Sequence, residues 1–309
     1  MILIITHKTD YTADFVINKL NQQNINYKRL NCEDILNNDF AIKISANFSY
    51  SILGENSYQS VWFRRTRLPE INNLKKEEQL YILNETESLF KNIFASVSSN
   101  WLSLPSAIYE AENKLLQLKI ATKIGFKIPP TLITNSKNEL IQFFSDCESE
   151  IILKPISQTR IQYKENTAFI FTNPVSKEYI ERLDEFDLTP CIFQKNIQKD
   201  YELRVTVVGE KAFAAAVYSQ RDSETINDWR KKKLEFKEIE LPDEIKIKCL
   251  NLLKELNLKF GAIDLIKTPN GEFIFLEINP NGQWAWIENQ TGQKISDALI
   301  NLLLDESNN

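Results

Sequence analysis

Glu277 and Asn279 stand two residues apart at the end of the apolar run "FIFLEIN". Residues two apart in an extended strand project from one face, so a carboxylate and a carboxamide share that face. A second apolar run, "GAIDLI", carries Asp264. If the two runs pair around Pro269-Asn270-Gly271, Asp264 lies near Glu277. Close carboxylates among apolar neighbours repel and lose hydration unless a cation joins them. An all-oxygen set suits Mg²⁺, which also takes waters and substrate phosphates. The plain alternative is a pair of solvated strand ends, since isolated acids are mostly exposed.

Three cations sit on apolar elements. Lys154 ends "IILK", Lys114 lies among Leu115, Leu116 and Leu118 near a helix start, and Arg204 lies inside "ELRVTVV". Singly, each could snorkel. Together with the acids they describe a site for a Mg²⁺-bound polyphosphate. No Walker loop and no G-x-G-x-x-G occurs among only 7 glycines, so side chains must hold the phosphates. The single histidine, His7, argues against a histidine triad or a histidine-rich metal site. Arg64, Arg65 and Arg67 in "WFRRTR" either line a cleft and meet acidic side chains or form an inter-lobe salt-bridge cluster. Trp284 and Trp286 suit a lobe interface better than substrate stacking.

The elements that must position these groups alternate along 309 residues, enough for two or three lobes. Strand patterns over 2–6, 26–30 and 60–64 with a helix over 12–24 predict an N-terminal α/β lobe. Helical periodicity follows over 75–97, with Leu80, Leu83, Leu89, Phe90, Ile93 and Phe94 inward, a core face long enough to serve a dimer contact as well. A helix over 110–124 is stopped by Gly125 and Pro129-Pro130. A small α+β stretch follows: strands over 131–134, 151–154, 168–172 and 191–196, helices over 137–144 and 176–185. Hairpins over 202–219 and 260–279, a helix over 243–256 and a last helix over 296–303 close the chain. Expected lobes are 1–125, 126–197 and 198–309.

Net charge is −5, which offers no nucleic-acid footprint. No apolar run reaches the roughly 20 residues of a membrane span. Four widely separated cysteines show no metal spacing and point to a reducing cytoplasm.

From Lys114 onward, "NKLLQLKIATKIGFKIPPT", "IILKP", "FQKNI", "YELRVTVVGEKAFAAAV", "GAIDLI" and "FLEINPNG" occur in the order found in the ATP-grasp superfamily, which the chain resembles. "VWFRRTR", "NDWRK" and "FLEINPNGQWAWIE" look like one branch, the microviridin or graspetide ligases that cyclise ribosomal peptides. The resemblance implies an ATP-grasp fold with a Rossmann-like N-terminal lobe, and ATP and Mg²⁺ as cofactors. Lys114 and Lys154 would touch phosphates. Gln194, Lys195, Asn196 and Ile197 would hold adenine, and Glu202 the ribose. Asp264, Glu277 and Asn279 would ligate Mg²⁺, while Arg204 would stabilise the transferred phosphoryl group or the acyl phosphate, with Arg230 a second candidate for that anion or for the acceptor carboxylate. Asp228 is a candidate for substrate contact or for activating a hydroxyl.

The implied partner is a precursor peptide with a helical leader and a core rich in acids and hydroxyls, gripped by the hairpin after Lys154 and by Tyr179 and Leu183 on the following helix. The implied assembly is a homodimer. In such enzymes Asp or Glu side chains become acyl phosphates, and Thr, Ser or Lys side chains attack them; the resemblance leans to ester. Two departures stand out. The segment "ISQTRIQYKENTAF" lacks the glycines of many ATP-grasp flaps, and Ala262 replaces the arginine of D-alanine ligases. A glutamate-adding carboxylate–amine ligase would instead make a product that gains mass. A non-catalytic nucleotide-binding module would bind ATP without turnover.

Overall fold

The computed structural model describes residues 1–37, 40–47, 49–156, 160–162, 167–185 and 189–305. At the N-terminus, strands Tyr27–Asn31, Ile2–Thr6, Ser60–Phe63 and Asn100–Trp101 form a parallel sheet in that order. Ile2–Thr6 is buried along its whole length. Its side chains alternate between two cores: Leu3 and Ile5 pack with Phe90, Ile93 and Ile108, whereas Ile2 and Ile4 pack with Val16, Leu20, Leu299 and Ile300. A strand covered on both faces reads as one unbroken apolar run for this reason. Helix Tyr11–Gln22 starts at Asp10, whose carboxylate accepts from the Thr12 and Ala13 amides.

Thr131–Thr134, Ile151–Lys154, Asn173–Pro174 and Cys191–Lys195 make a second sheet, ordered 173–174, 151–154, 191–195, 131–134 and antiparallel. Its satellite core contains Leu140 and Phe144 from helix Lys137–Asp146, together with Phe193 and Leu183. A short hairpin, Arg160–Gln162 with Thr167–Phe169, follows Lys154. The third sheet is antiparallel and five-stranded: Lys237–Ile239, Lys211–Val217, Tyr201–Val208, Phe260–Lys267 and Phe273–Asn279, in that order. Helix Asp243–Glu255 covers one face with Ile245, Cys249, Leu252 and Leu253.

Several expectations change. The helix read over 110–124 is two helices, Pro105–Ala111 and Lys114–Lys123. Asn113 breaks it, because its carboxamide oxygen accepts from the Leu116 amide, 3.2 Å away, and so caps a new helix. Lys114 thereby occupies the first turn. The helix over 176–185 is only Lys177–Glu181 followed by a 3₁₀ turn, Leu183–Glu185. Helix Lys76–Ser96 buries just Thr86, Phe90 and Ile93; Leu80 and Tyr81 are exposed. Helix Ala285–Thr291 was not foreseen in "AWIENQT".

Candidate active site

The hairpin built by Phe260–Lys267 and Phe273–Asn279 sets Asp264 directly opposite Glu277, and Arg204 on Tyr201–Val208 directly opposite Asp264. Three charged groups thus stand abreast across three adjacent strands. A bulge follows Asp264, after which Leu265 pairs with Phe275 and Leu276 is extra. Such an insertion twists a strand and re-aims the side chains beside it. Arg204 Nη1 donates to both oxygens of Asp264 at 2.9 Å, and Lys114 Nζ lies 2.6 Å from Glu277 Oε2. The Asn279 carboxamide reaches both acids at 3.3 Å.

Burial raises both carboxyls, and the two part company through their partners. Burial outweighs Arg204 at Asp264, and the neighbouring Glu277 adds to the rise, so its carboxyl titrates above the ordinary 3.8. At Glu277, Lys114 and then Lys154 outweigh burial and pull the carboxyl down to about 2. Lys154 ends its strand with Nζ 2.8 Å from Gln194 Oε1, and burial pulls its ammonium below the usual lysine range.

These groups line one cleft of about 430 Å³. Lys195, Asn196, Ile197 and Glu202 line it too, as do Arg65, Asp228 and Arg230. The Lys195 amide donates to Pro130 O and the Asn196 amide to Glu150 O, pinning that strand end from both sides. Ile152, Ile192, Ile266 and Leu276 supply apolar wall, the composition that suits a flat base. Glu202 Oε1 accepts from Lys199 Nζ at 3.0 Å and from Ser219 Oγ at 2.6 Å. Seven lysines and arginines line the cleft against four acids. A chain of net charge −5 therefore concentrates positive charge where a polyphosphate would sit.

That balance is also the test of fit for a metal nucleotide. The acid pair, each oxygen set already met by a cation or an amide, offers oxygen ligands of the kind Mg²⁺ takes. The Arg204 Nε–H is buried without a partner, a donor left for an anion to meet.

Not every expected group reaches the cleft. Arg64 is 1% exposed and pairs with buried Asp10 at 3.2 Å; its Nη1 points at the carbonyls of Asn281 and Gly282. It is a buried strut between Asp10 and the Asn281–Gly282 turn, and it does not line the cleft. Arg65 lines the cleft, and its Nη2 donates to Asn281 O at 3.1 Å. Arg67 is exposed and does not line it. Tyr179 is exposed. Leu183 is buried in the satellite core with Leu140, Phe144 and Phe193, which removes it as a peptide contact. Much of the hairpin expected to grip a leader, residues 157–159 and 163–166, lies outside the described residues.

Asp228 is 4% exposed with both oxygens engaged: Oδ1 accepts from the Arg230 amide and Nε, Oδ2 from Arg230 Nη2 and the Thr172 amide at 3.1 Å. Burial raises its carboxyl, but the Arg230 bonds win and hold it below 3.8. In this arrangement Asp228 holds the Arg230 guanidinium in place. Trp284 is fully buried, edge-on to Phe15 at 6.1 Å. Trp286 lines the cleft and packs on Trp229 and Phe236.

A profile of the RimK-like ATP-grasp domain matches residues 111–303. The chain belongs to the RimK-like ATP-grasp family. Macrocyclase MdnC of Microcystis aeruginosa MRC, solved bound with precursor peptide MdnA, is 31% identical, spans 98% of this chain and 99% of its own, and superposes with a TM-score of 0.86. A RiPP-associated ATP-grasp ligase of Chryseobacterium gregarium, in complex with ADP and a leader and core peptide, is 30% identical over 99% of this chain and 97% of its own, with a TM-score of 0.88. Tetrahydromethanopterin:alpha-L-glutamate ligase of Methanocaldococcus jannaschii is 24% identical over 65% of this chain and 68% of its own.

Two site features of this ATP-grasp ligase escaped the sequence reading. Lys199, 7% exposed on its side chain, clamps Glu202 from three residues away. A lysine in a polar loop carries no signal of that. Gly282 approaches the site closely: a Cβ there would come within 2.5 Å of both Arg204 Nη2 and Ala262 Cβ. The glycine in "NPNG" was visible, but its neighbour across two strands was not.

Proposed function

We propose that this ligase uses ATP to activate Asp or Glu side chains of a ribosomal precursor peptide and closes them onto Thr, Ser or Lys side chains of the same peptide, as ω-esters or ω-amides. One observation carries the choice over glutamate addition. The likeness to the two peptide-bound ligases runs at about 30% identity through essentially the whole chain, N-terminal sheet included, whereas the glutamate ligase matches 65% of it.

Asp264, Glu277 and Asn279 would hold Mg²⁺, and Lys114 and Lys154 the phosphates. A bound nucleotide supplies the phosphoryl group that turns a carboxylate into an acyl phosphate, a good electrophile. Glu202, with Oε1 already taken by Lys199 and Ser219, would hold a ribose hydroxyl. Arg204 would meet charge that builds on the transferred group, the stage at which a fixed cation accelerates reaction most. Arg230 and Arg65 draw the acceptor carboxylate in. Acid and nucleophile on one bound peptide meet at high effective concentration.

The lobes would be 1–125, 126–197 and 198–309, with the leader held by the hairpin after Lys154 and by Tyr179. The exposed Leu80 and Tyr81 support a homodimer, and free cysteines throughout support a cytoplasmic home. Incubation with ATP, Mg²⁺ and the peptide encoded beside this chain tests the reading by mass spectrometry. Loss of one water per ring with matching ADP release is expected. A product that gains glutamate, or an unchanged mass, overturns it.

A further inference from the structure

Phe273–Asn279 is the edge strand of its sheet, so its outward backbone groups need partners from elsewhere. Lys127 O takes the Phe275 amide at 2.8 Å. Past the bulge the outward residue is Ile278, which separates Glu277 from Asn279. Its partner is a side chain: Gln117 Oε1 accepts from the Ile278 amide at 3.1 Å, and Gln117 Nε2 donates to Ile278 O at 2.9 Å and to Ala111 O at 2.6 Å. Gln117 is 1% exposed. All its hydrogen bonds go to backbone, so it copies one rung of a missing strand. Lys114, three residues earlier and hence on the same helix face, grips the Glu277 side chain. One helix face therefore holds the strand twice, by side chain at 277 and by backbone at 278.

We propose that Gln117 is a positioning residue for the metal end of the cleft, fixing the peptide planes on either side of Ile278 so that Glu277 and Asn279 face one cation together. The proposal rests on the reading of Asp264, Glu277 and Asn279 as a Mg²⁺ site. Without the carboxamide the outward peptide groups of Ile278 would lose their partner, and the strand between Glu277 and Asn279 would be held from one side only, by its pairing with Phe260–Lys267.

The test is direct metal binding. Mn²⁺ is titrated into the purified full chain with ADP present, and free Mn²⁺ is read by electron paramagnetic resonance. Gln117→Met, of equal length but with no amide, is expected to weaken Mn²⁺ about tenfold or more, the scale on which supports behind a metal ligand act. It should raise the Mg²⁺ concentration for half-maximal turnover in step, while KM for the peptide stays put. Glu277→Gln is the reference. If Glu277→Gln loses Mn²⁺ and Gln117→Met binds it like the wild type, this proposal alone falls. If Glu277→Gln also binds normally, the metal reading falls and takes the proposal with it. Should Gln117→Met not fold, Gln117→Glu carries the same measurement: it keeps the acceptor for the Ile278 amide and drops both donated bonds, and wild-type Mn²⁺ affinity in it overturns the proposal.

Discussion

Two sets of residues in the cleft are held differently. In the first, Arg204, Asp264, Glu277 and Asn279 project from three strands in fixed register, and Lys114 and Lys154 come from a helix start and a strand end. In the second, Asp228 and Arg230 sit at a single 3₁₀ turn, Trp229–Lys231, and Arg65 just beyond the strand Ser60–Phe63. Sheet register aims the first set. Side-chain bonds hold the second: those of Asp228 to Arg230 and to the Thr172 amide, and that of Arg65 to Asn281 O. Preorganised charge belongs where the transition state develops charge, and a set held by side-chain bonds has more freedom to adjust.

The comparison breaks most readily in the strand-held set. Glu277→Gln and Lys154→Ala should each lower single-turnover ADP formation by about 10³-fold, with thermal unfolding still cooperative; near-normal turnover in either would dissolve the distinction. Gly282→Ala follows, because its Cβ must displace Arg204. A fall in kcat of about 10²-fold is expected, with ADP affinity by titration calorimetry little changed.

The strut beside the cleft separates stability from chemistry. Asp10→Ala leaves Arg64 buried and unpaired and should cost about 3 kcal/mol by denaturant unfolding, whereas Arg67→Ala, at an exposed site, should stay within about 0.5 kcal/mol. In the second set Asp228→Asn frees Arg230. It should lower kcat/KM for the peptide about tenfold and spare ATP hydrolysis without peptide; equal damage to both would show that the two sets are one device.

The smallest effect is in pH. Asp264 has a raised carboxyl, so its ionised form is disfavoured in the folded state, and the stability linked to it is present at low pH and lost as pH rises through its folded value. A divalent cation relieves that penalty. Glu277, held at about 2, contributes stability above the ordinary 4.5 and loses it only as pH falls toward its folded value. Between neutrality and about pH 4 the rise in Tm given by Mg²⁺ with ADP should therefore shrink through Asp264, and Asp264→Asn should flatten the trend in calorimetry.

Much of the strand-held set was legible. Period-two spacing put Glu277 and Asn279 on one face, and the Asn270-Gly271 turn set Asp264 across from Glu277. The pairing of Arg204 with Asp264 was less visible, since 60 residues separate them. "WFRRTR" divided in a way spacing could not foretell: Arg64 went inward to Asp10, Arg65 to the cleft and Arg67 to solvent. A local pattern gives side-chain direction relative to its own strand and says nothing about which lobe arrives on that face. The same limit hid the burial of Leu183, settled by Leu140, Phe144 and Phe193; the break at Asn113 is local, a side-chain cap on the Leu116 amide.

The amino-acid sequence alone determined the chemistry: oxygen ligands, lysines and arginines, no usable histidine or glycine-rich loop, and strands whose alternation aims the acids together. Tertiary structure decided which cations face which acids, which arginine is a strut, and which residue closes the open edge beside Ile278. The reason is physical. Backbone period is a local property of bond geometry, whereas burial, ion pairing and the filling of an edge strand depend on segments brought together only when the three sheets pack.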